Sequence, residues 1–466
     1  MAGRSMVDSQ DVETDLEIDF IKRAMTQSWD PSHRPGYPLE TTAITGPGKE
    51  QSSMHRGTAE QPLRIENVTL VDGTGAGPLH GAVILVEAGR IVYAGPADGA
   101  PPNRGSVEVL DGAGRTVLPG FIDCHVHLGI ESASELVTRF LDDPTVATFR
   151  AAERMRLTLD AGITTARDLG GLPSGFRVAG AAGLLTGPRL HTAVRVLSHT
   201  GGHGDLTAPC GFDPTNGMAE LVDTLDEVRI GVRRLLREGA DVIKVCATGG
   251  MGSPHDQPDD EGLTIEEIQA VVDEVARHGG RPVAAHAQGT AGILNAIRGG
   301  VTSVEHGYGI NDEAIDLAGE KGVFLVPTLS TFDGIDKATM QPYHYEKKLR
   351  WSEMTRENIS HAIQRGMKIA LGTDAAVGPH GQNLRELEHL VDLGMSPADA
   401  IVAGTRAAAE LLGLADELGT IRAGKIADLV VCDGDPLADI TLLGKPENVV
   451  TVVQAGVLRK NTVQTI

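Results

Sequence analysis

From Leu63 the chain alternates apolar and polar residues in short runs, LRIENVTLV, GAVILVEAGRIVYAG and VEVLDGAGRTVLPG, broken at Asp-Gly and Ala-Gly pairs. A period of two punctuated by turn residues predicts half-buried strands joined as hairpins. GTIRAGKIADLVVCDGDPL and NVVTVVQAGVLRK, near the other end, follow the same pattern. Between these blocks the runs are apolar throughout and alternate with helical periodicity. They predict eight strands, at 121–127, 163–169, 190–198, 241–247, 282–287, 301–307, 323–329 and 368–374. The clearest helix follows Gly262: Thr264 and Glu267 form a capping-box pattern, and Ile265, Ile268, Val272 and Val275 recur on one face. Another starts at Ser396, with Pro397 in its first turn.

Eight strands with intervening helices predict an α/β fold, a closed (β/α)8 TIM barrel over 119–414. The flanking runs, 61–118 and 415–466, predict one small β-sandwich domain built from both chain ends. Residues 1–60 are polar and turn-rich, with one amphipathic stretch near Leu16–Met25, and are read as an N-terminal arm or leader, with subunit contact as the alternative role.

Composition narrows the class. With 58 glycines and only 3% aromatic residues, the chain suits Gly-turned, Val/Ile/Ala-rich buried strands. The 63 acidic residues outnumber the 41 basic ones, and a net charge of −22 repels phosphate backbones and anionic lipid. Nucleic acid and membrane are therefore not expected partners. Cys124, Cys210, Cys246 and Cys432 form no CxxC pair, and Cys124 and Cys246 lie in apolar runs, so reduced packing residues are expected. Acidic residues stand where a signal peptide would carry its apolar stretch, and no run of about 18 apolar residues occurs. The expected location is cytoplasmic. No GxGxxG or GxxxxGK[ST] loop follows any strand.

Polar residues at strand ends carry the chemistry. His125 and His127 close the first strand, Lys244 lies in the fourth, His286 closes the fifth, His306 the sixth and Asp374 the eighth. C-terminal strand ends form the face on which barrel enzymes build their sites. Residues two apart on a strand share a face, so His125 and His127 point into one pocket. Imidazole nitrogen and carboxylate oxygen suit a borderline metal such as zinc. Singly, each residue has a plainer use: a buried histidine completes a core hydrogen bond, an aspartate caps a helix, a lysine reaches solvent. Together, six ligand-type residues on five strand ends point to a site.

LPGFIDCHVHL, ITTARDLGG, TGGHGD, IKVCATGG, AAHAQG, SVEHG, LGTDAAVG and GTIRAGKIADLVVCDGDPL resemble, in order and spacing, motifs of the amidohydrolase superfamily. The branch they resemble is that of imidazolonepropionase-related enzymes and Xaa-Pro dipeptidases, and the likeness spans roughly 62–463. This resemblance implies two divalent metal ions, zinc first, with manganese or cobalt as alternatives. His125, His127 and Asp374 would hold one and His286 and His306 the other, with Lys244, N-carboxylated, bridging them. It implies hydrolysis of a C–N bond by a metal-bridging hydroxide, with Asp374 moving the proton. His203 in Thr200–Gly201–Gly202–His203–Gly204 would contact the carbonyl oxygen or a substrate anion, with His199 second.

The loops 249–260, 307–312 and 376–383 are expected to meet substrate, through Gly249, Met251, Tyr308 and His380. Dipeptidase-like relatives are expected to carry an aromatic residue or tyrosine where this chain has Leu263, so one polar contact to a substrate carboxylate is missing here. The leading reading is a hydrolase of a small-molecule amide, carbamate, urea or N-acyl amino acid, forming a homo-oligomer as relatives commonly do. The alternatives are an Xaa-Pro dipeptidase or carboxypeptidase, a cyclic-amide hydrolase like imidazolonepropionase and, from another class, a non-catalytic oligomeric scaffold.

Overall fold

The computed structural model describes residues 61–103, 105–130, 143–207, 210–211, 218–338 and 340–463. The arm expected at 1–60 lies outside the described residues. Strands β1 (Leu63–Leu70), β2 (Leu79–Glu87), β3 (Arg90–Pro96), β4 (Glu108–Asp111) and β5 (Thr116–Pro119) open the fold. Seven of the barrel's strands follow: β6 (Phe121–Val126), β7 (Ile163–Asp168), β8 (Arg189–Thr192), β11 (Ile243–Cys246), β12 (Val283–Ala287), β13 (Ser303–His306) and β14 (Phe324–Val326). Short strands β9 (Val196–Ser198) and β10 (Ala219–Leu221) lie beside β11, and β15 (Leu429–Cys432), β16 (Val449–Gln454) and β17 (Val457–Asn461) end the chain.

The two terminal blocks meet in one hydrogen-bonded sheet, ordered β17-β16-β15-β5-β1-β2-β3, with β4 paired to β1. β15 runs antiparallel to β5, placing Val430 opposite Leu118 and Val431 opposite Val117. Alternate residues of these strands, among them Ile65, Ile84, Leu110, Leu429, Val431 and Val453, form a separate apolar core.

The barrel strands pair in parallel, β6 with β7, β7 with β8, and β11 through β14 in order. The Asp241 amide donates to the Thr192 carbonyl, joining β8 to the strand that follows. Residues 368–374, expected as the eighth strand, lack continuous ladder geometry yet bond to both neighbours. Leu325 N donates to Lys368 O, Cys124 N to Leu371 O and Asp374 N to His125 O. This is a TIM-barrel-type fold. The third expected strand, 190–198, is interrupted because Val194 adopts φ 66°, a region a β-branched residue rarely enters.

Helices pack outside: α1 (Pro144–Asp160), α2 (Gly175–Ala181), α3 (Leu225–Arg237), α4 (Ile265–Arg277), α5 (Thr290–Gly299), α6 (Asp312–Lys321) and α7 (Pro342–Gln364). The capping box at Thr264 and Glu267 is present, but α4 buries Ile268, Val271 and Val275, with Val271 rather than Val272 at the centre of the buried face. Ser396 caps its helix as expected. Cys124, Cys246 and Cys432 are buried, and all four cysteines are free thiols. Among the described residues no helix is long and apolar enough to cross a membrane.

Candidate functional site

The C-terminal strand ends converge on a cleft of ≈ 150 Å³ whose lining includes His125, His127, Lys244, His286, His306 and Asp374. All six residues singled out as ligands thus face one cavity, although they come from five separate segments. His127 Nε2 lies 3.2 Å and His125 Nε2 3.6 Å from Asp374 Oδ1. His125, His306 and Asp374 each offer a ligand atom within 4.8 Å of the others. The His286 and His306 rings follow at 4.5 Å between centroids.

Each ring's other nitrogen is already engaged, which fixes its orientation. His125 Nδ1 meets Glu305 Oε2 at 2.8 Å, His127 Nδ1 donates to Gly170 O at 2.8 Å, and His306 Nδ1 meets Thr328 Oγ1 at 2.7 Å. In these three, Nε2 is left for the cavity. His286 is turned the other way: its Nε2 donates to the Gly249 carbonyl at 3.0 Å, leaving Nδ1. Behind His125, buried Glu305 also accepts from Arg167 Nη2 at 2.8 Å, an ion pair sealed inside the barrel. Asp123 accepts from the His125 and Thr373 amides and from the Thr373 and Asn383 side chains, tying β6 to the 368–375 segment. Burial pushes its carboxyl up to about 7 despite these donors.

Two of the six residues hold left-handed backbone, His306 at φ 73° and Asp374 at φ 56°. Such conformations disfavour side chains and concentrate at functional sites. Lys244 is 3% exposed, and its Nζ has no hydrogen-bond partner among the described residues. Burial lowers its ammonium pKa, the direction that yields a free amine. Burial alone would raise the Asp374 carboxyl, but His125 and His127 outweigh it and hold the group well below the usual carboxylate range. Burial lowers the pKa of His125, His286 and His306, His306 to about 3, whereas burial is outweighed at His127, whose pKa the Asp374 carboxylate raises. Imidazole nitrogens, a carboxylate and an orphaned buried amine form a donor set suited to a divalent cation.

The remaining expected residues divide. His203 lines the cavity, stacked on His286 at 4.0 Å, with Nδ1 2.8 Å from Ser253 Oγ. Met251 and Tyr308 line it too, whereas Gly249 contributes the carbonyl that holds His286. His199 and His380 are not among the lining residues: His199 Nδ1 donates to Thr200 O, and His380 Nε2 donates to Ile130 O at 2.8 Å. Leu263 is buried in the core. Sequence reasoning missed Glu305, Arg167 and Asp123, which hold the ligand residues in place. It also missed His344 and Lys348 of α7, which line the cavity.

A barrel with this strand-end constellation is the class of metal-dependent hydrolases, and comparison with known proteins makes the assignment specific. The chain belongs to the amidohydrolase family, which it matches over residues 116–459. It is 32% identical to ochratoxinase of Aspergillus niger over 463 residues, 91% of this chain and 94% of that protein. It is 27% identical to imidazolonepropionase of a Methylobacterium species, covering 80% of this chain and 92% of that one. The crystal structure of a Xaa-Pro dipeptidase with methionine bound in its active site superposes with a TM-score of 0.78 at 31% identity, covering 85% of this chain and 99% of that chain. The chain is therefore a hydrolase acting on carbon–nitrogen bonds, of the imidazolonepropionase-related and dipeptidase-like branch.

Proposed function

We propose that this hydrolase cleaves an amide bond in an N-acyl amino acid or a related small amide, carbamate or urea, using two divalent ions. The observation that carries the reading is the unpartnered, buried Lys244 Nζ in a cavity shared with four histidines and Asp374. An amine that is buried and unpaired is costly unless it is modified or pairs with something the chain itself does not supply. As a carbamate, Lys244 would hold both ions, with His125, His127 and Asp374 on one and His286 and His306 on the other. When bound there, such ions lower the pKa of water to about 7 and polarise a carbonyl.

The chain's own residues do the rest. Ionised Asp374 takes the proton of the attacking water at its carboxylate and delivers it to the leaving nitrogen. His203, fixed by Ser253 and stacked on His286, orients the scissile carbonyl. The apolar walls, Ile130, Val196, Met251 and Val377 among them, exclude bulk water and accept an apolar acyl group. Likeness to ochratoxinase and to a dipeptidase supports amide cleavage over cyclic-amide opening. The same reading has zinc as the ion, with manganese or cobalt as substitutes, and a cytoplasmic homo-oligomer acting on small molecules. It takes the paired terminal strands as a small sandwich domain (61–118 and 415–466) beside the barrel (119–414).

The test couples metal analysis to a screen of N-acyl amino acids, Xaa-Pro dipeptides, anilides, carbamates and phenylureas. About two equivalents of metal per chain are expected, with turnover on the amide members. Asp374→Asn should bind substrate but turn over poorly. A metal-free chain after careful purification, or no hydrolysis of any member, refutes the proposal.

A further inference from the structure

Helix α7 places two consecutive lysines in the interior, and they are used very differently. Lys347 is 6% exposed and spends its donors on the carbonyls of Gly250, Ser253 and Asp256, with Asp256 Oδ1 at 3.6 Å. It is a clamp on the 250–256 loop. Lys348 is 1% exposed, donates only to the Thr331 carbonyl, and lies 5.7 Å from the Phe332 ring centroid. An ammonium carries three donors, so two N–H groups of Lys348 have no acceptor among the described residues. The nearby carboxylates are committed elsewhere: Asp333 to Arg385 and His389, Asp374 to His125 and His127. A buried cation without an anion is costly, and this one lines the substrate cavity beside His344, Tyr308 and Met251. Burial lowers its pKa to about 8, which still leaves it charged at neutral pH.

We propose that Lys348 anchors a free carboxylate on the substrate, so the scissile amide belongs to an N-acyl amino acid or to the last peptide bond of a short peptide. This rests on the amide-hydrolase reading and narrows it. It also explains how carboxylate recognition survives with Leu263 buried in the core, since α7 supplies the contact instead. Met251 and Tyr308, packed with Trp351, then receive an apolar side chain. In the reaction the acyl C–N bond breaks and a C–O bond to water forms. The acyl acid leaves with the water's oxygen and the amine takes up a proton, while the carboxylate on Lys348 stays unchanged.

The experiment compares N-benzoylphenylalanine with N-benzoylphenethylamine, which lacks only the carboxylate, following benzoate release by the metal-loaded full chain. A charge-assisted bond predicts a preference for the acid of about 10- to 100-fold in kcat/KM, carried mainly by KM. Lys348→Met is expected to reduce this ratio to about threefold or less, and Lys348→Arg to keep part of it. An enzyme that does not discriminate overturns the proposal, whatever the variants do. So does a Lys348→Met chain that keeps the acid preference, or one that loses both activities in parallel, as a purely structural role requires. Calorimetric titration with N-benzoylphenylalanine separates the two levels. If wild type hydrolyses neither compound but binds the acid in a manner lost in Lys348→Met, the amide reading fails and the anchor stands. If binding ignores the substitution, the anchor is wrong.

Discussion

Glu305→Gln separates the stability and the chemistry of the site. Glu305 is fully buried and accepts from Arg167 Nη2 and His125 Nδ1, each at 2.8 Å, and from the Ser303 hydroxyl beside Arg167. A glutamine has one carbonyl oxygen and one NH2, so it can accept on only one side, that of Arg167 or that of His125, and must present N–H to the other. In either orientation the fully buried Arg167 guanidinium loses its anion, and if the NH2 faces it the hydrogen bond goes as well. If the NH2 faces His125, the ring must move its proton from Nδ1 to Nε2, the nitrogen that faces Asp374. Breaking a buried ion pair costs about 3–5 kcal/mol, a large part of the roughly 5–15 kcal/mol that holds a domain together. Losing the hydrogen bond that orients a ligand histidine costs about 10- to 100-fold in metal affinity or activity.

Urea denaturation of the metal-free protein at pH 7, metal content after dialysis and kcat/KM read these effects separately. Arg167→Met/Glu305→Leu removes both charges, so it should recover much of the lost stability yet none of the lost activity. Glu305→Gln within about 1 kcal/mol of wild type (against the expected loss), with metal and turnover intact, would refute the view that Glu305 holds His125.

Lys244→Ala should lose metal and nearly all turnover, with partial rescue by short carboxylic acids; full activity in that variant rules out a bridging carbamate. Gly372→Ala would place its Cβ 2.3 Å from Val326 Cγ1 and 2.9 Å from His125 Cβ. It is expected to cost about 1–3 kcal/mol by overpacking and to lower kcat/KM at least tenfold, whereas unchanged kinetics would show that β6 can yield. In the metal-free protein, burial lowers the pKa of His125, His191, His286, His306, His344 and His380. Their folded values lie below 6.5, so the unfolded chain binds more protons and stability falls as pH drops from 6.5 towards 4. Asp123, Asp160 and Glu386, with raised values, and His127 and His389, also raised, work the other way but are fewer. Each net proton contributes about 1.4 kcal/mol per pH unit. Denaturation midpoints that stay flat between pH 4.5 and 6.5 would contradict this balance.

That these six residues share one cavity was legible because barrel strands leave little choice: a histidine, lysine or aspartate at the end of an apolar run has only the cavity to enter. What supports them was not legible, and β13 shows why. In Ser303–Val304–Glu305–His306, strict alternation would put Glu305 and His306 on opposite faces. His306 instead turns into the left-handed region at φ 73°, and both side chains face the interior. The parity rule fails at the residue where function bends the backbone. Likewise 368–375 brings Asp374 to the cavity while holding its neighbours only through isolated bridges, Ile369 to Leu325 and Ala375 to Val126.

Helix α7 eluded the sequence for a different reason. YHYEKKLRW reads as a charged, solvent-facing stretch, and only the spacing of His344, Lys347, Lys348 and Trp351 marks a common face. Whether that face meets water or the cavity depends on how the loop before α7 carries it over the barrel mouth, which a periodicity cannot encode. The division of labour follows from this. Strand ends, whose direction the barrel dictates, hold the groups common to the chemistry. The α7 segment, whose placement is free of the barrel's register, holds the cation proposed to select the substrate. Substrate choice can therefore change by substitution in α7 without disturbing a ligand, as a family that performs one reaction on many amides requires.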